Sequence, residues 1–277
     1  MKIVRSIPDL KAVRRALRGS LGFVPTMGYL HEGHLSLVRR AKTENDFTAV
    51  SIFVNPTQFL PHEDFKTYPR NERLDLELLE TEGADLVFLP EVRDMYPAGH
   101  RTFIDVEGLS SVLEGASRPG HFRGVVTVVA KLFNLTQPTR AYFGQKDAQQ
   151  VSVIKKMGVD LNMDVEIIVC PTIREENGLA MSSRNVYLTP EDRRHASILS
   201  QALLAAQELL RAGERNGDRL RHRMRQVIET VPGVEIDYVS VADPETLVEV
   251  EHVTKTALAS LAVCFGHIRL IDNIILD

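Results

Sequence analysis

Apolar positions along the 277 residues fall into two textures. Short continuous runs occur at 21–25 (LGFVP), 47–54 (FTAVSIFV), 84–90 (ADLVFLP), 141–143 (AYF) and 165–171 (VEIIVCP). They are rich in β-branched and aromatic residues, as expected of strands buried on both faces of a parallel sheet. Between them, apolar residues three and four apart predict helices over 8–18, 34–44, 71–82, 125–135 and 148–157. KIV at the start and TFIDVE at 102–107 read as further strands. The polar stretch 60–73, with two prolines, reads as a loop, either a gate over the ligand crevice or a plain exposed connection, and RPGHFRG at 118–124 as a basic loop, solvated or with its arginines on phosphate. Alternating strands and helices predict an α/β domain built on a Rossmann-like parallel sheet. Beyond Pro190 the pattern changes to a long helix reaching about residue 212, an arginine-rich helix over 218–230, and three strands (VEIDYVSVAD, ALASLAVCF, HIRLIDNIIL). This is a smaller α+β domain, so the chain divides into residues 1–172 and 173–277.

The stretch PTMGYLHEGH at 25–34 organises the first part. An apolar strand feeds through a glycine turn into a helix whose first residues include His31 and His34. A helix start offers unpaired N–H groups and about half a positive charge, and Gly28 and Gly33 let a ligand approach the backbone, so the expected guest is a phosphate. The zinc-protease pattern does not fit. It needs two histidines four apart on one helical face, whereas these are three apart and straddle a glycine. Neither GxGxxG nor GxxxxGK[ST] occurs at this turn.

Other chemistry-bearing residues also fall just after predicted strands, where open α/β sheets hold their ligands. Gly144, Gln145, Lys146 and Asp147 form a second glycine turn, and Met181, Ser182, Ser183 and Arg184 supply hydroxyls and a guanidinium suited to phosphate oxygens. Asn55, Gln58 and Gln150 offer neutral donors and acceptors suited to hydroxyl and carboxylate groups. No nucleophile stands out, and the histidines, lysine, hydroxyls and arginine together suit a triphosphate.

Composition narrows the partners. At 44% hydrophobic and 25% charged, with a net charge of -4, the chain is ordinary for a globular protein and lacks the basic excess of a nucleic-acid binder. Cys170 and Cys264 sit inside apolar strand runs and read as reduced, buried small hydrophobes. No apolar run approaches the ~18 residues of a membrane span, and the charged N-terminal helix does not suit a signal peptide, so no membrane association and a cytoplasmic location are expected.

PTMGYLHEGH, FVNPTQF, YPR, FGQKDAQQ, PTIRE and GLAMSSRN together resemble, in order and spacing, the pantothenate synthetase family of the HxGH nucleotidyltransferase superfamily. The resemblance covers residues 25–185. It implies a ligase joining pantoate to β-alanine through pantoyl adenylate, with ATP as co-substrate, Mg2+, and a homodimer. It further implies that ATP is held by Met27, Gly28, Tyr29, Leu30, His31, Glu32, Gly33 and His34, by Gly144, Gln145, Lys146 and Asp147, and by Ile173, Met181, Ser182, Ser183 and Arg184. His34, His31 and Lys146 would be catalytic. Gln58 and Gln150 would hold pantoate, with Asn55 beside them. Gln145 and Ala148 depart from the family's glutamate and aromatic residue. The resemblance assigns nothing after residue 185 and no metal ligands. An ATP-binding regulatory module and a metal-dependent hydrolase built on HEGH are the rival classes; pyrophosphate release and the response to chelation separate them.

Overall fold

The computed structural model describes residues 1–61 and 63–277. In chain order the first elements are β1 (Lys2–Val4), α1 (Ile7–Ala16), β2 (Leu21–Thr26), α2 (Glu32–Glu44), β3 (Phe47–Ile52), α3 (Glu72–Thr81), β4 (Leu86–Phe88), α4 (Val92–Met95), α5 (Glu114–Ser117), α6 (His121–Thr136), β5 (Arg140–Gly144), α7 (Ala148–Asp160) and β6 (Glu166–Cys170). There follow α8 (Pro190–His195), α9 (Ile198–Arg211), α10 (Gly217–Ile228), β7 (Val234–Ala242), β8 (Ala257–Phe265) and β9 (Ile268–Leu276). The fold class expected from the sequence, α/β with a smaller α+β part, is the one observed.

Two compact units are present, Met1–Gly144 with Val153–Pro171, and Gln145–Ser152 with Thr172–Asp277. In the first, six parallel strands run in the order β1-β4-β3-β2-β5-β6. The order reverses between β2 and β5, which creates a crevice at the carboxyl ends of those strands. Leu35, Leu37, Val38 and Ala41 of α2 share a core with Val24, Val50 and Tyr142. Burying each of the larger of these side chains stabilises the packing by roughly 1.5–3 kcal/mol, and so fixes where the start of α2 sits. In the second unit, β7, β8 and β9 form an antiparallel sheet. It packs in one core with the apolar stripes of α9 (Leu199, Leu203, Leu210) and α10 (Leu220, Met224, Ile228).

Several expectations are corrected. TFIDVE is not a strand. Ile104 gives its N–H to Thr127 Oγ1 at 3.0 Å and takes that hydroxyl on its carbonyl at 3.4 Å, so a side chain of α6 stands in for a neighbouring strand. The helix expected from 190 to 212 is two helices. Ala196 and Ser197 between them have ψ of -16° and -17°, values of a tighter turn, and Ser197 Oγ bonds back to the Arg194 carbonyl. RPGHFRG is only half a loop, because Gly120 at φ 86° starts α6 at His121. Nor is Arg118 solvated, since it forms a forked pair with Glu63 at 2.6 and 2.7 Å. The stretch 60–73 is a loop as expected, with α3 beginning at Glu72; that pair and the Phe59, Phe65 and Tyr68 rings brace it, the latter two with centroids 5.4 and 5.8 Å from that of Phe59, and His62 within it lies outside the described residues. Both cysteines are free, but Cys264 is only half-buried. Among the described residues no helix is long and apolar enough to cross a membrane.

Candidate active site

The turn after β2 is built by three devices. Thr26 Oγ1 donates to the Ser51 carbonyl at 2.8 Å and accepts the Gly28 N–H at 3.2 Å, tying the strand end to β3. Gly28 takes φ +81°, and a Cβ there would lie 2.9 Å from Ile52 Cγ2 and 3.0 Å from Asp75 Oδ2, so both conformation and space require glycine. Asp75, buried on α3, then receives the N–H groups of Tyr29 (2.9 Å) and Leu30 (2.7 Å), holding Tyr29 at φ 51°. Burial pushes the Asp75 carboxyl above its ordinary range, while the two N–H bonds pull it back.

His31 caps α2 and His34 stands in its first turn. His31 Nδ1 accepts the Gly33 N–H at 3.2 Å, and His34 Nδ1 accepts the His31 N–H at 3.4 Å. Each ring is thus oriented through its Nδ1 by a backbone N–H of the turn. The ring centroids lie 4.1 Å apart with the planes tilted by 37°. Glu32 is exposed and paired with Arg39, and Leu30 is buried in the core, so these two bring only backbone to the turn.

Behind the histidines, Asn55 starts a 3₁₀ turn, Pro56–Gln58. Asn55 is 1% exposed. Its Nδ2 donates to Gln58 Oε1 (3.0 Å) and the Gly124 carbonyl (3.1 Å), and its Oδ1 accepts from Thr57 and Tyr96. These bonds hold Asn55 against the side-chain amide of Gln58. Gln58 Nε2 in turn reaches Met27 Sδ at 3.2 Å, so the amide and the histidine turn are brought together. The Gln58 backbone carbonyl accepts from His121 Nδ1 at 2.8 Å and from Arg118 at 3.3 Å. Arg118 can only donate, so its 3.2 Å contact makes His121 Nε2 an acceptor and puts the proton on Nδ1. Burial, followed by the Arg118 charge, lowers the His121 pKa to about 4.

In the second unit, Gln145, Lys146 and Asp147 form a 3₁₀ turn leading into α7, with Gln150 half-buried one turn on. Lys146 Nζ lies 3.6 Å from Asp147 Oδ1 and is mostly covered. Ile173 and Met181 close a short hairpin through Met181 N–H to Ile173 O at 2.9 Å. Ser182 caps the next 3₁₀ turn by accepting the Arg184 N–H at 3.2 Å, with Ser183 buried behind it.

Sequence reasoning passed over Asp75, Glu63, Asp272 and Asn273, and took Arg118 and His121 only as part of a basic loop. Asp75 carried a signal, being four residues before Leu79 on the buried stripe of its helix. So did the two polar residues that interrupt the apolar run of β9.

These features define a class, the α/β nucleotide-handling enzymes that place their site at the carboxyl edge of a parallel sheet where strand order reverses. The family model for pantoate-beta-alanine ligase matches residues 2–275. A pantothenate synthetase of Roseiflexus castenholzii is 61% identical over 277 residues, covering 100% of both chains. The crystal structure of pantothenate synthetase from Thermus thermophilus has a TM-score of 0.95 at 48% identity, covering 99% of each chain. That of pantoate-beta-alanine ligase from Francisella tularensis, complexed with beta-gamma ATP and β-alanine, has a TM-score of 0.81 at 38% identity, covering 99% of this chain and 97% of that one. The chain belongs to the pantoate-beta-alanine ligase family.

Proposed function

We propose that the protein condenses pantoate with β-alanine at the expense of ATP. The pantoate carboxylate attacks the α-phosphorus and pyrophosphate leaves. The β-alanine amine then attacks the acyl carbon of pantoyl adenylate, giving pantothenate and AMP. The observation that carries the reading is the histidine turn at the switch point of the parallel sheet, held open by Gly28 and Asp75. Its two imidazole rings suit phosphate oxygens, and each is oriented in advance through Nδ1 by a backbone N–H, so little reorganisation is needed as charge develops.

Lys146 adds an ammonium for the triphosphate, and Ser182, Ser183 and Arg184 add hydroxyl and guanidinium donors, with Ile173 against the nucleotide. Gln58 and Gln150 serve pantoate, Gln58 with its amide oriented by Asn55. Residues 1–172 are the nucleotide-binding catalytic part and 173–277 the smaller domain that serves it. Mg2+ enters with the triphosphate as part of the substrate. A cytoplasmic homodimer completes the reading.

The test is product stoichiometry. With pantoate, ATP and β-alanine, equal amounts of AMP, pyrophosphate and pantothenate are expected. Without β-alanine, one equivalent of pyrophosphate per site should be released in a burst. AMP without amide product, or ATP binding without pyrophosphate, would sink the proposal.

A further inference from the structure

Both nucleotide-facing segments of the second unit are fastened to one dipeptide of β9. Asn273, 4% exposed, donates from Nδ2 to the carbonyls of Gln145 (3.0 Å) and Lys146 (2.7 Å), and its Oδ1 accepts Gln145 Nε2 at 2.9 Å. All three bonds converge on the turn that carries Lys146. Asp272, 2% exposed, takes a forked pair from Arg174 at 2.5 and 3.0 Å and also accepts the Asn273 N–H at 2.8 Å. Arg174 follows Ile173 and donates to the Gly178 carbonyl at 3.1 Å, so the pair pins the hairpin leading to 181–184. Successive strand residues point to opposite faces, which lets two neighbours hold two separate segments.

We propose that Asp272 and Asn273 are positioning residues for the reaction: Asn273 sets the Lys146 turn, and Asp272, through Arg174, sets the Ser182, Ser183 and Arg184 segment. The proposal rests on the functional reading above. It also accounts for Gln145 where the family pattern carries glutamate. A carboxylate has no N–H for Asn273 Oδ1, whereas the amide completes the third bond. Forked and triply bonded anchors of this kind matter to catalysis because donors displaced by about 1 Å lose much of their hold on developing charge.

The experiment is a pair of double-mutant cycles on the full chain, read by kcat, by KM for ATP and for pantoate, and by hydrogen exchange over 145–148. Asn273→Leu, of similar volume, should lower kcat at least tenfold, leave the KM for pantoate within twofold, and speed exchange over 145–148 tenfold. In a Lys146→Ala background the same change should cost less than threefold, because the group it positions is gone. Asp272→Asn should behave likewise against Arg184→Ala. Gln145→Ala, which removes one bond from a half-buried site, should give a threefold loss in kcat and stands in if Asn273→Leu does not fold. Equal losses in both backgrounds, or unchanged exchange, would overturn the positioning role. Wild-type protein that releases no pyrophosphate from ATP and pantoate would instead overturn the functional reading, and the exchange data would still decide whether Asn273 orders the turn.

Discussion

The histidine turn and the lysine turn are held by different constructions. The first is a continuous piece of chain, from the end of β2 to the start of α2, and its bonds run mostly within itself or to the adjacent β3. Its bonds from further along the chain come from Asp75, 46 residues away from Tyr29, and from Gln58, 31 residues from Met27. The lysine turn is held from 128 residues away, by Asn273. A locally built turn is robust to changes elsewhere, whereas one fastened to a distant strand makes its cation depend on how the second unit folds. Placement of the two turns is thus divided between an element specified early in the chain and one completed only at its end.

The sharpest way to break the comparison is Lys146→Ala. If the lysine turn exists to present this ammonium, its loss should cost several kcal/mol of transition-state stabilisation, roughly a hundredfold or more in kcat, with an unchanged melting temperature. Near-native turnover in a normally melting variant would leave the distant anchoring without a purpose. Next in size is Asp75→Ala, aimed at the other turn. It strands two buried N–H groups at about 1–3 kcal/mol each and frees Tyr29 from a strained conformation. Stability by urea titration should fall by about 2–5 kcal/mol, with a raised KM for ATP. A variant as stable as the wild type would mean that the turn supports itself.

The contrast also explains what the sequence revealed. Strand runs buried on both faces, and a glycine turn with histidines at a helix start, declare themselves locally, so the parallel sheet and residues 25–34 were legible from periodicity and turn chemistry. Asn55 was legible as a polar residue at a strand end, but not as a scaffold, because its partners Gly124 and Tyr96 lie on other elements. Arg118 read as solvated because nothing nearby announces Glu63. TFIDVE has the alternation of a strand, yet its pairing partner is a hydroxyl on α6, which no local pattern records. The helix break at Ser197 turns on two ψ values that leave no mark on the apolar spacing.

Acid should expose a third, intermediate effect. The folded His121 is neutral, with a pKa of about 4, against 6.5 for the free side chain. Below pH 6.5 the unfolded chain takes up a proton that the folded chain refuses, so this group's contribution to stability is present above pH 6.5 and falls as pH drops toward 4. The full loss is up to about 3 kcal/mol. Urea titrations across that range should give a wild-type curve that declines more steeply than that of His121→Asn, whose amide can keep the bond to the Gln58 carbonyl. Parallel curves would show that His121 titrates normally and does not brace Gln58.

The smallest effect expected belongs to Gly124→Ala, which probes whether Gln58 is set independently of the histidine turn. A methyl at Gly124 would lie 2.3 Å from the Thr57 carbonyl oxygen and 2.7 Å from the Gln58 nitrogen. Both are backbone atoms, so no flexible side chain can give way, and α6 must back off from the 3₁₀ turn at a cost of about 1–3 kcal/mol. That movement also stretches the Asn55 bond to the Gly124 carbonyl, and with it the orientation of the Gln58 amide. The histidine turn is fixed instead by Thr26, Gly28 and Asp75, through bonds to Ser51, Tyr29 and Leu30. The KM for pantoate should therefore rise several-fold while that for ATP stays within twofold. A matched rise in both would mean that the contact from Gln58 to Met27 couples the two, and that the first unit's site moves as one piece.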